Sequence, residues 1–148
     1  QLVGRLAGAL TGDDPEGLPD RCVLEVARHL LDRGDPATEV LERVIDGNDS
    51  GARGEARAML ARTCRRAGDH TAAARVWREH LQDQPADLLA RVELAKLLEH
   101  RLADLEGALA LVAEARTLVE LRHEVDPTLS EELDHRYRRL DRRIGSRR

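Results

Sequence analysis

The chain has 148 residues, enough for one ordinary domain with a continuous core, and a formal charge of −4. It holds no Phe, one Trp (Trp77) and one Tyr (Tyr137), while charged residues make up 35%, a profile of helices built on Leu, Ala and Val that leaves little strand-forming sequence. No apolar run approaches the roughly 18 residues of a membrane span. The opening QLVGRLAGAL lacks a basic leader and a small-residue cleavage pattern, so a soluble cytoplasmic protein without a membrane partner is expected.

Helical periodicity runs through the chain and breaks at Gly, Asp and Pro. It predicts eight helices, over 2–10, 20–33, 36–46, 52–67, 70–82, 87–101, 104–124 and 129–144. The first leads into TGDDPEGLP (Thr11 to Pro19), the longest turn-rich connection; DGNDSG (Asp46 to Gly51) and DQPAD (Asp83 to Asp87) are shorter ones. GDP (Gly34 to Pro36) and GDH (Gly68 to His70) share a helical-hairpin signature. In it, Gly closes one helix in the left-handed conformation and Asp caps the next. The last helix opens a basic tail: His135 to Arg148 carries seven Arg and one Asp, a net +6 that leaves −10 on the first 134 residues. The chain begins at Gln1 rather than Met, as expected of a trimmed chain or a piece of a longer polypeptide.

Internal repetition is the strongest signal. Ala27, Ala61 and Ala95 are spaced by 34 and 34; each follows an aliphatic residue (Val26, Leu60, Leu94) and precedes by three a further apolar position (Leu30, Cys64, Leu98). In the partner helices Val40, Ala73 and Ala108 recur at 33 and 35, and Val44, Trp77 and Val112 keep the same offsets. A one-residue slip in the turns accounts for the drift. In the middle unit, Leu60-Ala61, Cys64, Gly68-Asp69, Ala73, Trp77 and Pro85 stand where the tetratricopeptide repeat (TPR) carries Leu-Gly/Ala, Tyr, Gly-Asp, Ala, Phe and Pro, and the chain resembles that family over roughly residues 20–120. Arg57 and His80 depart from the pattern, as do Glu39 in the first unit and Ala103 in the third, which replaces the turn Gly. The resemblance implies an all-α fold: a right-handed superhelix of about three TPR-like hairpins, with an N-terminal helix and a C-terminal capping helix. The expected organisation is a single domain over 1–148, with repeats at 20–50, 52–85 and 87–122 and a cap at 129–144.

Nothing in the chain assembles catalytic chemistry. None of the six His sits in an HExxH motif or an i,i+4 pair, and Cys22 and Cys64 lie far apart, outside any CxxC or Cys/His ligand spacing. Both thiols are expected to be buried and inert. The Gly residues sit at turns, not in a phosphate-binding loop following a strand. Neither an enzyme nor a metal or cofactor site is expected.

Recognition is the more promising chemistry. Arg28, Arg62 and Lys96 recur at 34 and 34 on the first helix of each unit, and the resemblance places that column along the concave groove as a cationic ladder. Arg65 and Arg66 thicken it, Glu25, Glu93 and Glu99 flank it, and His100 stands near its end. The candidate partner-binding set is therefore Arg28, Arg62, Arg65, Lys96, Glu99 and His100, with a protein segment, acidic or extended, as the partner. Some TPR domains grip a C-terminal carboxylate through a clamp rich in Asn and Lys; here Asn48 is the one Asn and lies in a loop. With 23 Arg to one Lys, Arg abundance alone reads as genome composition. A second resemblance gives the alternative. VELAKLLEHRLADLEGALALVAEA followed by HRYRRLDRRI is similar to the C-terminal helical region of bacterial ribonuclease H-like proteins of the DEDD exonuclease type. That implies an accessory module carrying no catalytic carboxylates, whose last helix (Arg136, Arg138, Arg139, Arg142, Arg143) contacts nucleic-acid phosphates.

Overall fold

The computed structural model describes residues 17–122 and 126–148; the predicted helix at 2–10 lies outside them. Seven helices and no strand occur among the described residues: α1 (Asp20–Asp32), α2 (Thr38–Ile45), α3 (Ser50–Arg66), α4 (His70–Asp83), α5 (Leu88–His100), α6 (Leu105–Leu121) and α7 (Pro127–Gly145). Each predicted helix within this span is present, with ends shifted by a few residues. No helix here is long and apolar enough to cross a membrane. The described residues group into two compact units, divided within α3 between Arg62 and Thr63.

The hairpin turns form as their sequences dictate. At the end of α1, the amides of Gly34 and Asp35 bond to the carbonyls of Leu31 and Leu30 (3.0 and 2.8 Å). At the end of α3, those of Gly68 and Asp69 bond to Arg65 and Cys64 (3.1 and 2.9 Å). Both are Schellman closures, with Gly34 and Gly68 at φ of 78° and 82°. Asp69, Asp87, Asp104 and Asp126 cap the helices that follow, accepting from the amides of Ala72, Ala90, Gly107 and Thr128. Asp35 does not cap: it pairs with Arg33 at 3.1 Å, and α2 starts from Ala37 without a side-chain cap. The helix starts two residues later than the sequence predicts.

That delay moves the register of the second helices. The buried positions of α2 are Leu41 and Val44, preceded by buried Ala37, and not Val40, which is half-buried. Ala37, Ala73 and Ala108 form the small-residue column, with Leu41, Trp77 and Val112, and then Val44, His80 and Ala115, beneath it. Each column is spaced by 36 and 35. The first-helix column stands as predicted: Ala27, Ala61 and Ala95 are all buried, as are Val26, Leu60 and Leu94. Small side chains at these positions let neighbouring helices approach closely. Cys22 is exposed and Cys64 half-buried, against the expectation of two buried thiols; the buried face of α1 is carried by Val23, Leu24, Val26 and Ala27, which turns Cys22 outward.

In the first unit α1 packs on α2. Arg21 reaches Asp49 (3.2 Å) and Glu55, and Arg28 reaches Glu25 and Glu55, tying α1 to the start of α3. In the second unit α4 packs on α5, α5 on α6 and α6 on α7. The core there is Leu94, Leu97, Leu98, Leu105, Val112, Leu133 and Leu140 with the Ala column. α7 continues the repeat register: Leu129, Ser130 and Leu133 follow Leu94, Ala95 and Leu98 by 35. The capping helix therefore occupies the first-helix position of a fourth hairpin, a periodicity missed in the sequence because Ser stands in the Ala column.

The slip between the middle and last hairpins lies in the turn after Leu98. Here the Asp104 amide reaches back six residues to the Leu98 carbonyl (2.9 Å) rather than five, and Ala103 takes the left-handed conformation at φ 55°. A Cβ in that region costs roughly 1–2 kcal/mol. Ala103→Gly should therefore stabilise the chain by about 0.5–1 kcal/mol, the unfolded-state entropy of Gly offsetting part of the relief. Urea unfolding checks this; a loss of stability would show that the turn does not store the strain.

Candidate functional site

Two features of the second unit meet between α5 and α7. The first is a groove of about 760 Å³ lined by Pro85, Leu88, Leu89, Val92, Lys96, Arg122, Leu129 and Glu132, among others. Leu88 and Leu89 are adjacent, so about 100° of helix separates them and one must point away from the core if the other points in. Leu88 is 8% exposed and Leu89 69%. Val92 and Lys96 follow at helical spacing on the groove side of α5. Arg122 donates to the Ala86 carbonyl, fixing the end of α6 against the loop that floors the groove. Leu121, beside it, is also largely exposed.

The groove floor is held by a polar lock. His80 Nε2 lies 2.7 Å from Asp87 Oδ2, and the other oxygen of Asp87 accepts the Ala90 amide at 3.1 Å. His80 is buried and meets Trp77 edge-on, with ring centroids 5.9 Å apart and planes at 82°. Burial alone would push the Asp87 carboxyl up, but the His80 hydrogen bond and the Ala90 amide outweigh it and hold the group below its ordinary value. His80, where the family has Ala, therefore joins the end of α4 to the first turn of α5.

The second feature is Glu99, whose carboxylate is fully buried on α5. Arg136, Arg139 and Arg143 converge on it from α7, at 2.7, 2.6 and 3.2 Å. Positions 136, 139 and 143 share one face of a helix. His100 Nε2 lies 3.5 Å from the same carboxylate. Burial pushes Glu99 up; the Arg139 hydrogen bond, with the charges of Arg139, His100 and Arg136, reverses this and holds it below its ordinary value. Two candidate sets read separately from the sequence thus meet: Glu99 and His100 from the groove list, and three arginines from the nucleic-acid list. Glu99 is a buried fastening between helices rather than an exposed flank of a ladder. Arg138 and Arg142 are exposed and lie off that face, Arg142 Nε donating to the Arg138 carbonyl.

The remaining ladder residues divide between the units. In the first, Arg28 is engaged by Glu25 and Glu55, while Arg62 is exposed and forms no ion pair among the described residues, its Nε donating to the Ala58 carbonyl at 3.1 Å. In the second, Arg65 and Lys96 share Glu93, at 3.5 and 3.0 Å. Lys96 alone of the predicted set lines the groove. Sequence reasoning missed Leu89, Val92, Arg122, Leu129 and Glu132; the adjacent Leu88-Leu89 pair at the start of an amphipathic helix was the one available signal. Among the described residues no group of three or more His, Cys, Asp or Glu could hold a metal ion.

These helices, turns and columns define a TPR-like helical-repeat fold. Comparison with solved structures agrees. A Podospora anserina structure of nearly identical TPR-like repeats, described as a kinesin light chain, superposes with a TM-score of 0.60 at 20% identity, over 84% of this chain and 66% of that one. PcrH from Pseudomonas aeruginosa gives 0.59 at 16% identity, over 84% of this chain and 96% of that one. No family model and no curated protein matches the chain.

Proposed function

We propose that this chain is a non-catalytic interaction module that binds an extended segment of a protein partner in the groove between α5 and α7. The observation that carries the reading is the groove itself. It is a predominantly apolar concavity with Leu89 left 69% exposed on its wall and with charges of both signs, Lys96, Arg122 and Glu132, at its edges. Apolar anchors set among a few polar groups are the usual make-up of a recognition site. The TPR-like fold supports a scaffold of this kind. The ladder enters the reading through Lys96, which lines the groove.

Nucleic-acid binding by the last helix draws less support, because Arg136, Arg139 and Arg143 are gathered on the single Glu99 carboxylate instead of being spread to follow successive phosphates. Selection of a displayed random-peptide library on the purified chain tests the proposal. Recovered peptides should share an aliphatic anchor and lose at least tenfold in affinity on Leu89→Glu, an exposed substitution that the fold should tolerate. Recovery of no binder, or of peptides indifferent to Leu89→Glu and to Lys96→Glu, would refute it.

A further inference from the structure

The Glu99 cluster has more charge than its fold requires. One carboxylate faces three guanidiniums, a surplus of two positive charges, and among the described residues Arg136, Arg139 and Arg143 have no other carboxylate partner. Their side chains are 20%, 35% and 44% exposed, so donors not used on Glu99 remain open to solvent. Each guanidinium carries five N–H donors in a planar fork suited to oxyanions. The buried carboxylate holds all three in one place, which removes much of the ordering cost that a loose arginine cluster would meet on binding.

We propose that Arg136, Arg139 and Arg143, gathered by Glu99, form a binding site for a phosphate monoester, taking a phosphorylated side chain of the partner. The charge match favours this anion: a phosphate monoester carries about −1.5 to −2 at neutral pH, against a surplus of two. A carboxylate or a phosphodiester brings only one. The site lies on the same two helices as the groove, α5 and α7. Along α5, Leu89 and Glu99 are ten residues apart, about 15 Å of helix, which an extended peptide spans in about four to five residues. The partner segment therefore carries an aliphatic anchor at Leu89 and a phosphorylated residue that distance along. This spacing rests on the groove reading; the phosphate site itself does not.

Titration of the ¹⁵N-labelled full chain with phenyl phosphate at pH 7 and low salt, followed at the arginine Nε–Hε resonances, tests the site. Saturable shifts are expected at Arg136, Arg139 and Arg143 while Arg138 and Arg142 stay still, with dimethyl phosphate and acetate binding at least tenfold more weakly. Arg143→Gln, the most exposed of the three, should weaken phenyl phosphate roughly tenfold, and Arg143→Lys by less, since it keeps charge without the fork. Shifts that never saturate, that move Arg138 and Arg142 equally, or that dimethyl phosphate or acetate match would overturn the proposal. Leu89→Ser should leave phenyl phosphate binding within twofold, so a failure of the groove reading and a failure of this site are told apart.

Discussion

Glu99→Gln is expected to destabilise the chain by about 3 kcal/mol at pH 7, the low end of the range for breaking a buried ion pair, because the three arginines left behind are partly exposed. Its carboxylate is the sole described anchor of Arg136, Arg139 and Arg143, so its loss removes the polar fastening of α7 to α5 and leaves the Arg116–Asp134 pair to α6 and the apolar contacts of Leu133 and Leu140. The pH dependence follows from the direction of the shift. A folded pKa held below the unfolded value stabilises the fold at pH above the unfolded pKa, and that contribution is lost as pH falls through the folded pKa. The wild-type advantage over Glu99→Gln should therefore be full at pH 6–7 and shrink on acidification toward pH 3. Urea unfolding at several pH values measures both. Glu93→Gln serves as control, because its pairs with Arg65 and Lys96 are more open to solvent and should cost less than about 1 kcal/mol. An equal loss from the two variants, or a Glu99→Gln difference unchanged at low pH, would mean that Glu99 is not the pin described.

Trp77→Ala should cost about 3–5 kcal/mol, the range for removing a large buried aromatic. Trp77 is 7% exposed and fills the column that Leu41 and Val112 occupy in the neighbouring hairpins. Its ring also backs His80, whose bond to Asp87 sets the first turn of α5. The substitution should therefore open a cavity in α4 and loosen the groove floor as well. Since a domain's total stability is about 5–15 kcal/mol, the variant should unfold at markedly lower urea. A loss under about 1.5 kcal/mol would show that the site collapses and that Trp77 is not the wedge its column position implies.

The fold was legible in the sequence wherever local chemistry and the repeat agreed. Gly34 and Gly68, the capping Asp69, and the buried Ala27, Ala61 and Ala95 all stand as read. The first hairpin misled because Asp35 pairs with Arg33 instead of capping and α2 starts from Ala37, which moves the small column there, an effect visible only once the start of α2 is placed. The site was less legible. Lys96 could be singled out by its period, but Leu89 and Arg122 gain their meaning from the approach of α7 and the end of α6 to α5, and Leu129 from a repeat that Ser130 disguises. Glu99 was read from its register as a groove flank and partner-binding candidate. Its burial follows from three arginines 37, 40 and 44 residues away, a pairing that spacing along a single helix does not reveal.

We propose the α5–α7 strip as the surface through which this chain recognises a partner. Amide chemical-shift mapping of the ¹⁵N-labelled chain with a library-selected peptide tests it most directly. The largest changes are expected on Leu88, Leu89, Val92, Lys96, Leu129 and Glu132. Changes concentrated on α1 and α2, with these residues unmoved, would contradict it.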